Sequence, residues 1–128
     1  MAHQTVGYGQ GLLDRCQGPS AAPAATCPVE VTLAALRGRW TAVVLVQFLR
    51  GEHHFSELAQ VLPKLSDKVL TERLAQLTEA GVLQRHRTPG WPPRVRYGLT
   101  ERGRALIPVL QALWDWGAHS AIDTEPLA

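Results

Sequence analysis

The chain has 128 residues, room for one domain with a tail, and a 45% hydrophobic fraction sufficient for an ordinary core. No apolar run approaches the ~18 residues that span a bilayer. Residues 1–16 lack the basic start and apolar centre of a secretory signal, so the expected compartment is the cytoplasm, without membrane attachment. The formal net charge of +2 says less than its distribution: residues 27–84 balance six Lys/Arg against six Asp/Glu, whereas residues 85–104 carry Arg85, Arg87, Arg94, Arg96, Arg102 and Arg104 against Glu101 alone, and residues 105–128 hold only Asp115, Asp123 and Glu125. A positive field confined to one short segment is the footprint of a phosphate-binding element. Taken alone, it is equally a solvated basic loop.

In chain order, residues 1–26 hold Gly7, Gly9, Gly11 and Gly18 and a Pro/Ala stretch with little apolar periodicity, which predicts a mobile arm with at most a helical turn near Leu12 and Leu13. Pro28 suits a first helical turn, and Val29, Leu33 and Leu36 recur at helical spacing until Gly38. Residues 40–50 read as a second helix, with Trp40, Val43, Val44, Leu45, Val46, Phe48 and Leu49 covering nearly every face. That pattern predicts a helix central to the core, stopped by Gly51. A short helix follows, marked by Phe55, Leu58, Ala59 and Leu62, with Ser56 as a candidate N-cap and Pro63 closing it. Ser66 then caps a longer helix whose apolar stripe is Leu70, Leu74, Leu77 and Ala80 and whose opposite face carries Asp67, Lys68, Thr71, Glu72 and Gln76.

After Gly81 the period changes to that of strands. Residues 82–87 and 94–99 flank the turn-forming stretch 88–93, giving a β-hairpin with its arginines outward and Trp91 at its tip. Thr100 caps a last helix running to Ala118, with Leu106, Leu110, Leu113, Trp114 and Gly117 on one side and Val109, Ala112 and Trp116 on a second apolar face. Pro108 removes one ladder bond and is expected to bend it. The fold class is therefore mainly α with a small β-hairpin wing, a winged helix-turn-helix: residues 1–26 an arm, 27–120 the domain with a C-terminal dimerisation helix, and 121–128 a tail. Such a helix fits the major groove of B-DNA, and a basic hairpin beside it can reach phosphates or a narrow minor groove.

The residues also resemble a known family. Cys27-Pro-Val-Glu, Gly38-Arg39-Trp40, Phe55-Ser-Glu-Leu58, Leu65-Ser-Asp-Lys68-Val-Leu70-Thr-x-Arg73-Leu74, Pro92-Pro93-x-Val95-x-Tyr97-x-Leu99-Thr100 and Gly103 are similar to the HxlR-type regulators, relatives of the MarR group. The resemblance runs from Cys27 to about Gly117. It implies a homodimeric winged helix that binds double-stranded operator DNA, usually as a repressor, in some members under an oxidant or small-molecule effector sensed through a cysteine at the position of Cys27. Two departures bear on DNA contact. His53 and His54 stand where the family has paired arginines, which would weaken a phosphate contact or make it pH-dependent, and Arg96 replaces a glutamate, adding charge to the wing.

The expected DNA-binding set is Ser66, Lys68, Thr71 and Glu72 at the start of the recognition helix, with Arg73, Arg87, Arg94 and Arg96 on phosphates or in the minor groove. Arg73 has the alternative of pairing with Glu72 or Glu57. The dimer interface is expected at Val109, Ala112, Leu113 and Trp116, with the N-terminal helix contributing. Trp40, Trp114 and Trp116 read as core or interface aromatics. Cys27, beside a helix N-terminus that would favour a thiolate, is the sensor candidate, against the alternative of a small buried apolar residue. Cys16 could act as its resolving partner only if the arm folds back. Neither the two cysteines nor the histidines have metal-ligand spacing, no nucleophile–base pair or Gly-rich phosphate loop points to an enzyme, and no cofactor is implied. The competing function is a winged helix used only for protein–protein contact.

Overall fold

A computed structural model describes Leu12 and residues 27–123, with side chains through His119. The expected mobile arm, Leu12 apart, and the end of the expected tail lie outside the described residues. The chain divides into two units, Met1–Gly38 and Arg39–Ala128. In the first, Pro28 opens α1 (Pro28–Ala35), where its missing N–H costs nothing, and the Cys27 carbonyl accepts the Val31 N–H at 2.9 Å. Cys27 and Ala35 are buried. Of the residues at helical spacing, Val29 and Leu33 are exposed, together with Val31.

In the second unit, Trp40 holds a left-handed backbone (φ 79°) as N-cap of α2 (Thr41–Gln47), a conformation that costs an L-residue ~1–2 kcal/mol. The Arg39 guanidinium lies 5.8 Å from its ring centroid. The segment expected as one helix buried all round is α2 followed by a 3-10 turn, Phe48–Arg50, and only one side is inside. Thr41, Val44, Leu45 and Phe48 are buried, while Val43, Val46 and Leu49 face outward. Apolar periodicity reports which residues avoid water in the working state, and a second chain serves that purpose as well as a core.

His53 and His54, which no strand pattern announces in the sequence, form strand β1 (His53–His54). Their rings are spent on the fold. His53 Nε2 donates to the Gln47 carbonyl at 2.8 Å and its ring meets Phe48 edge-on at 5.5 Å; His54 Nδ1 donates to the Val95 carbonyl at 2.9 Å. His54, not Ser56, is the N-cap of α3 (Phe55–Val61). Glu57 accepts the His54 N–H at 2.8 Å, a bond that holds its carboxyl below the usual range, with the nearby imidazoles of His53 and His54 acting in the same sense. Ser66 caps α4 (Asp67–Glu79) as expected, accepting the Val69 N–H at 3.2 Å, and Leu70, Leu74 and Leu77 are buried.

β2 (Leu83–Thr88) and β3 (Arg94–Leu99) form the hairpin, and β1 pairs with the outer edge of β3, giving a three-stranded antiparallel sheet in the order β1-β3-β2. The last helix, α5 (Glu101–Asp123), continues past the expected end at Ala118 and passes through Pro108. Leu106 and Leu110 are buried, but Leu113 and Trp114, on the same apolar side in the sequence pattern, are exposed. The core-facing stripe of α5 ends at Leu110.

α4, the wing and α5 meet at one joint. The Thr100 hydroxyl donates to the Gly81 carbonyl at 2.5 Å and accepts the Gly103 N–H at 2.9 Å, while the Thr100 N–H donates to the Val82 carbonyl at 3.1 Å. Arg102 Nε donates to the Ala80 carbonyl at 3.1 Å. Gly81 takes φ 78°, and a Cβ at Gly103 would collide with the Val82 carbonyl oxygen and meet Leu99 Cδ2 at 3.0 Å. Backbone cannot yield there as a flexible side chain would. Gly103→Ala should therefore destabilise the fold by about 1–3 kcal/mol, as overpacking does, lowering the melting temperature by at least about 4 °C in thermal unfolding followed by circular dichroism.

Candidate nucleic-acid interface

The end of α3, the connection 62–66 and α4 make a helix-turn-helix. Leu62 and Leu65 are buried within that connection, so the turn is pinned from inside. Burial of Leu70, Leu74 and Leu77 leaves Ser66, Asp67, Lys68, Thr71 and Glu72 on the exposed side of α4. Ser66, Lys68, Thr71 and Glu72, the residues of this helix expected to meet DNA, thus share one accessible surface at its N-terminal end. Thr71 keeps its hydroxyl on the Asp67 carbonyl at 2.7 Å, which presents its methyl group outward as an apolar contact of the kind that suits a thymine.

Arg73 pairs with neither Glu72 nor Glu57. Its Nε donates to the Arg39 carbonyl at 2.9 Å, tying α4 to the chain just before α2. Sequence reasoning missed this link because the acceptor is a backbone carbonyl 34 residues away.

The hairpin register divides the four wing arginines between two faces. Directly opposed residues of an antiparallel pair share a face. Arg87↔Val95 and Arg85↔Tyr97 therefore lie on the face that continues from the Leu83↔Leu99 pair, and Thr88↔Arg94 and His86↔Arg96 lie on the other. Arg96 is held by Glu52 at 3.4 Å, a pair with both side chains roughly half exposed. Glu52 also covers Gly98, where a Cβ would come 2.9 Å from its Cγ. Arg96 thus stands on the wing already paired with a carboxylate. Among the described residues Arg87 and Arg94 make no ion pair, and both are exposed. Arg102 is engaged at the joint. His53 and His54, bonded to backbone carbonyls, do not stand in for phosphate-binding arginines.

A second surface lies away from the wing. Val109, Ala112, Leu113 and Trp116 are all exposed, with Trp114 and Trp116 at 68% and 73% of their full accessibility. Between α2 and α5 runs an apolar groove of about 610 Å³ lined by Ala42, Val46, Leu49, Ile107, Leu113 and Trp114, among others. The outward sides of α2 and of distal α5 are two walls of this one groove. Cys27 is fully buried and disulfide-bonded, so in this structure it is neither the thiolate nor the simple buried thiol weighed from sequence. The chain's one other cysteine, Cys16, lies outside the described residues. No group of three or more metal-ligating side chains occurs among the described residues, and no described helix is long and apolar enough to cross a membrane.

Comparison with known proteins agrees with this architecture. Residues 35–125 match the family model described as HxlR-like helix-turn-helix. An uncharacterized HTH-type transcriptional regulator of Methanothermobacter thermautotrophicus is 41% identical over 91 residues, covering 71% of this chain and 70% of that protein. The HTH-type transcriptional regulator YvaP of Bacillus subtilis is 42% identical over 94 residues, 73% of this chain and 87% of that one. Among solved structures, the redox regulator HypR in its reduced form superposes with a TM-score of 0.67 at 32% identity, over 73% of this chain and 93% of that one. The reduced form of the transcriptional regulator YodB from B. subtilis gives 0.66 at 32%, over 80% and 99%.

Proposed function

The chain belongs to the HxlR-like helix-turn-helix family of transcriptional regulators, and from that premise we propose that it is a cytoplasmic, homodimeric repressor that binds operator DNA and is released by oxidation at Cys27. The observation that carries the DNA reading is the exposed row Ser66, Lys68, Thr71 and Glu72 on a capped helix beside a hairpin whose Arg87 and Arg94 make no ion pair among the described residues. Lys68, Thr71 and Glu72 contact base edges, and Arg73, Arg87 and Arg94 neutralise phosphates. A wing used only for protein contact has no call for a hairpin free of carboxylates from Ala80 to Thr100. No enzymatic step belongs to this function.

The dimer rests on the unpaired apolar faces. Val109, Leu113, Trp114 and Trp116 on α5 and Val29, Val31 and Leu33 on α1 leave more large apolar side chains in water than a small monomer tolerates. A two-fold copy supplies the same faces in return, and its two recognition helices would meet half-sites about 34–36 Å apart. The redox step takes two electrons and two protons from the Cys16 and Cys27 thiols. A quinone that accepts both becomes a hydroquinone as the S–S bond forms. HypR was solved in reduced and oxidized forms, and YodB in reduced and diamide-treated forms. Redox sensitivity of this kind is brought to the present chain as a proposal, with Cys27 at the entry to α1 as its site.

Three measurements test these assignments. With six to eight phosphates neutralised, log affinity for a promoter fragment from the adjacent intergenic region should fall with log salt at a slope of about −5 to −7, and Arg94→Ala should weaken all sequences alike and flatten the slope by about 1–2; altered sequence preference with an intact slope would refute the assignment. Trp116→Asp should convert a dimer to monomer in sedimentation velocity at micromolar concentration, and a monomeric wild type would overturn the dimer. A quinone should lower DNA affinity of the reduced wild type but not of Cys27→Ser or Cys16→Ser. An equal drop in all three proteins would remove the disulfide from the mechanism.

A further inference from the structure

Trp91 is 94% exposed, more than any other large hydrophobic residue described, and it occupies the centre of the five-residue loop that closes the wing beyond the last cross-strand pair, Thr88↔Arg94. Three of the five loop positions are prolines (Pro89, Pro92 and Pro93), whose rings fix φ, and the remaining neighbour, Gly90, takes φ 137°. The loop thus has little backbone freedom left to lose on binding. An indole adds a large rigid surface with only two side-chain torsions to immobilise. Within the chain it has no role in packing, because both strands near the tip are exposed on every residue from Gln84 to Thr88 and at Arg94.

The surroundings of Trp91 decide what could cover it. Arg87 and Arg94 approach the tip from the two faces of the hairpin, Arg85 stands behind them, Arg96 is already paired with Glu52, and no Asp or Glu occurs between Glu79 and Glu101. A purely apolar partner would leave these cations desolvated without compensation. A polyanion with apolar surface between its charges suits both features at once. Duplex DNA has that pattern in the minor groove, where phosphate rails flank sugar faces and base edges, and where proteins insert apolar side chains beside arginines. We propose that Trp91 enters the minor groove of duplex DNA as the wing's non-ionic anchor, with Arg87 and Arg94 on the phosphate rails to either side. This rests on the DNA-binding reading above and adds to it a contact that the recognition helix and the arginines do not supply.

The anchor is neutral, so it contributes affinity without releasing counterions. That separates it from the arginines. The test uses the full chain and a fluorescein-labelled random-sequence duplex of about 30 base pairs, long enough for two half-sites one helical turn apart. Trp91→Ala should bind about tenfold more weakly at every salt concentration with the salt slope unchanged, Trp91→Phe should recover most of the loss, and Arg94→Ala should flatten the slope. The melting temperature of Trp91→Ala should match wild type, since the side chain packs against nothing. Acrylamide quenching should show that the duplex shields an indole in the wild type that is absent from Trp91→Phe. Wild-type affinity in Trp91→Ala, alongside a weakened Arg94→Ala, would overturn the anchor and leave the DNA reading intact. A Trp91→Ala slope as flat as that of Arg94→Ala would also overturn it, by showing that the residue only places the arginines. Wild-type affinity in both variants would overturn the anchor and the wing's part in DNA contact, and failure of the wild type itself to bind the duplex would overturn the DNA reading together with the anchor.

Discussion

The structure depends on the close approach of Gly103 to the Val82 carbonyl. Thr100 reaches back to the Gly81 carbonyl, and Arg102 to the Ala80 carbonyl, so the C-terminal end of α4 is bonded directly to the first turn of α5. β2 leaves from this point and β3 returns to it. α4, the wing and α5 therefore share a single backbone junction. Backbone-to-backbone packing of this kind is stiff, because no rotamer change can relieve a displacement. In the proposed dimer, the junction fixes the angle between each reading helix and the helix that carries its partner, and so the separation of the two half-sites.

The distal part of α5 follows from the same geometry. Its buried stripe stops at Leu110, yet the helix continues to Asp123 with apolar side chains still in place. Leu113, Trp114 and Trp116 gain nothing from this chain's core. At roughly 25 cal/mol per Å² of apolar surface removed from water, two exposed tryptophans are each worth several kcal/mol when covered. The outward sides of α2 and α5 form one groove, so the same surplus is visible on two elements distant in sequence. In the proposed dimer a second copy covers this surface, and folding of the chain and assembly of the proposed dimer are then different steps, separated by the burial of this face.

Local chemistry made much of the fold legible. Ser66 and Thr100 are caps because a hydroxyl at those positions meets free N–H groups of the next turn, a relation contained within three residues. Gly81 and the proline-rich tip likewise announce turns without reference to anything distant. The failures share the opposite property. His53 and His54 have no strand pattern of their own, and β1 exists because β3 offers an edge more than 40 residues away. Glu52 and Arg96 meet across the same strand pair, and Arg73 finds a backbone carbonyl on another helix. The all-round apolar character of residues 40–50 predicts a core helix, yet Val43, Val46 and Leu49 face outward, because an apolar pattern does not say what covers each face. The oxidation state of Cys27 is a property of a pair and cannot be read from one position.

The placement of charge completes the division of labour at the candidate interface. The exposed side of α4 carries Asp67 and Glu72 against Lys68, so the reading helix itself attracts phosphate weakly. The wing carries arginines without a compensating carboxylate except Glu52, which restrains Arg96. Attraction to any duplex is therefore concentrated in the hairpin, while carboxylates on the reading helix penalise registers that bring them against phosphate or a base-edge acceptor. Glu72 accepts only where a base offers a donor, as cytosine does through N4. On the proposed assignment, selectivity arises from what the helix rejects, and the wing supplies the affinity that offsets it.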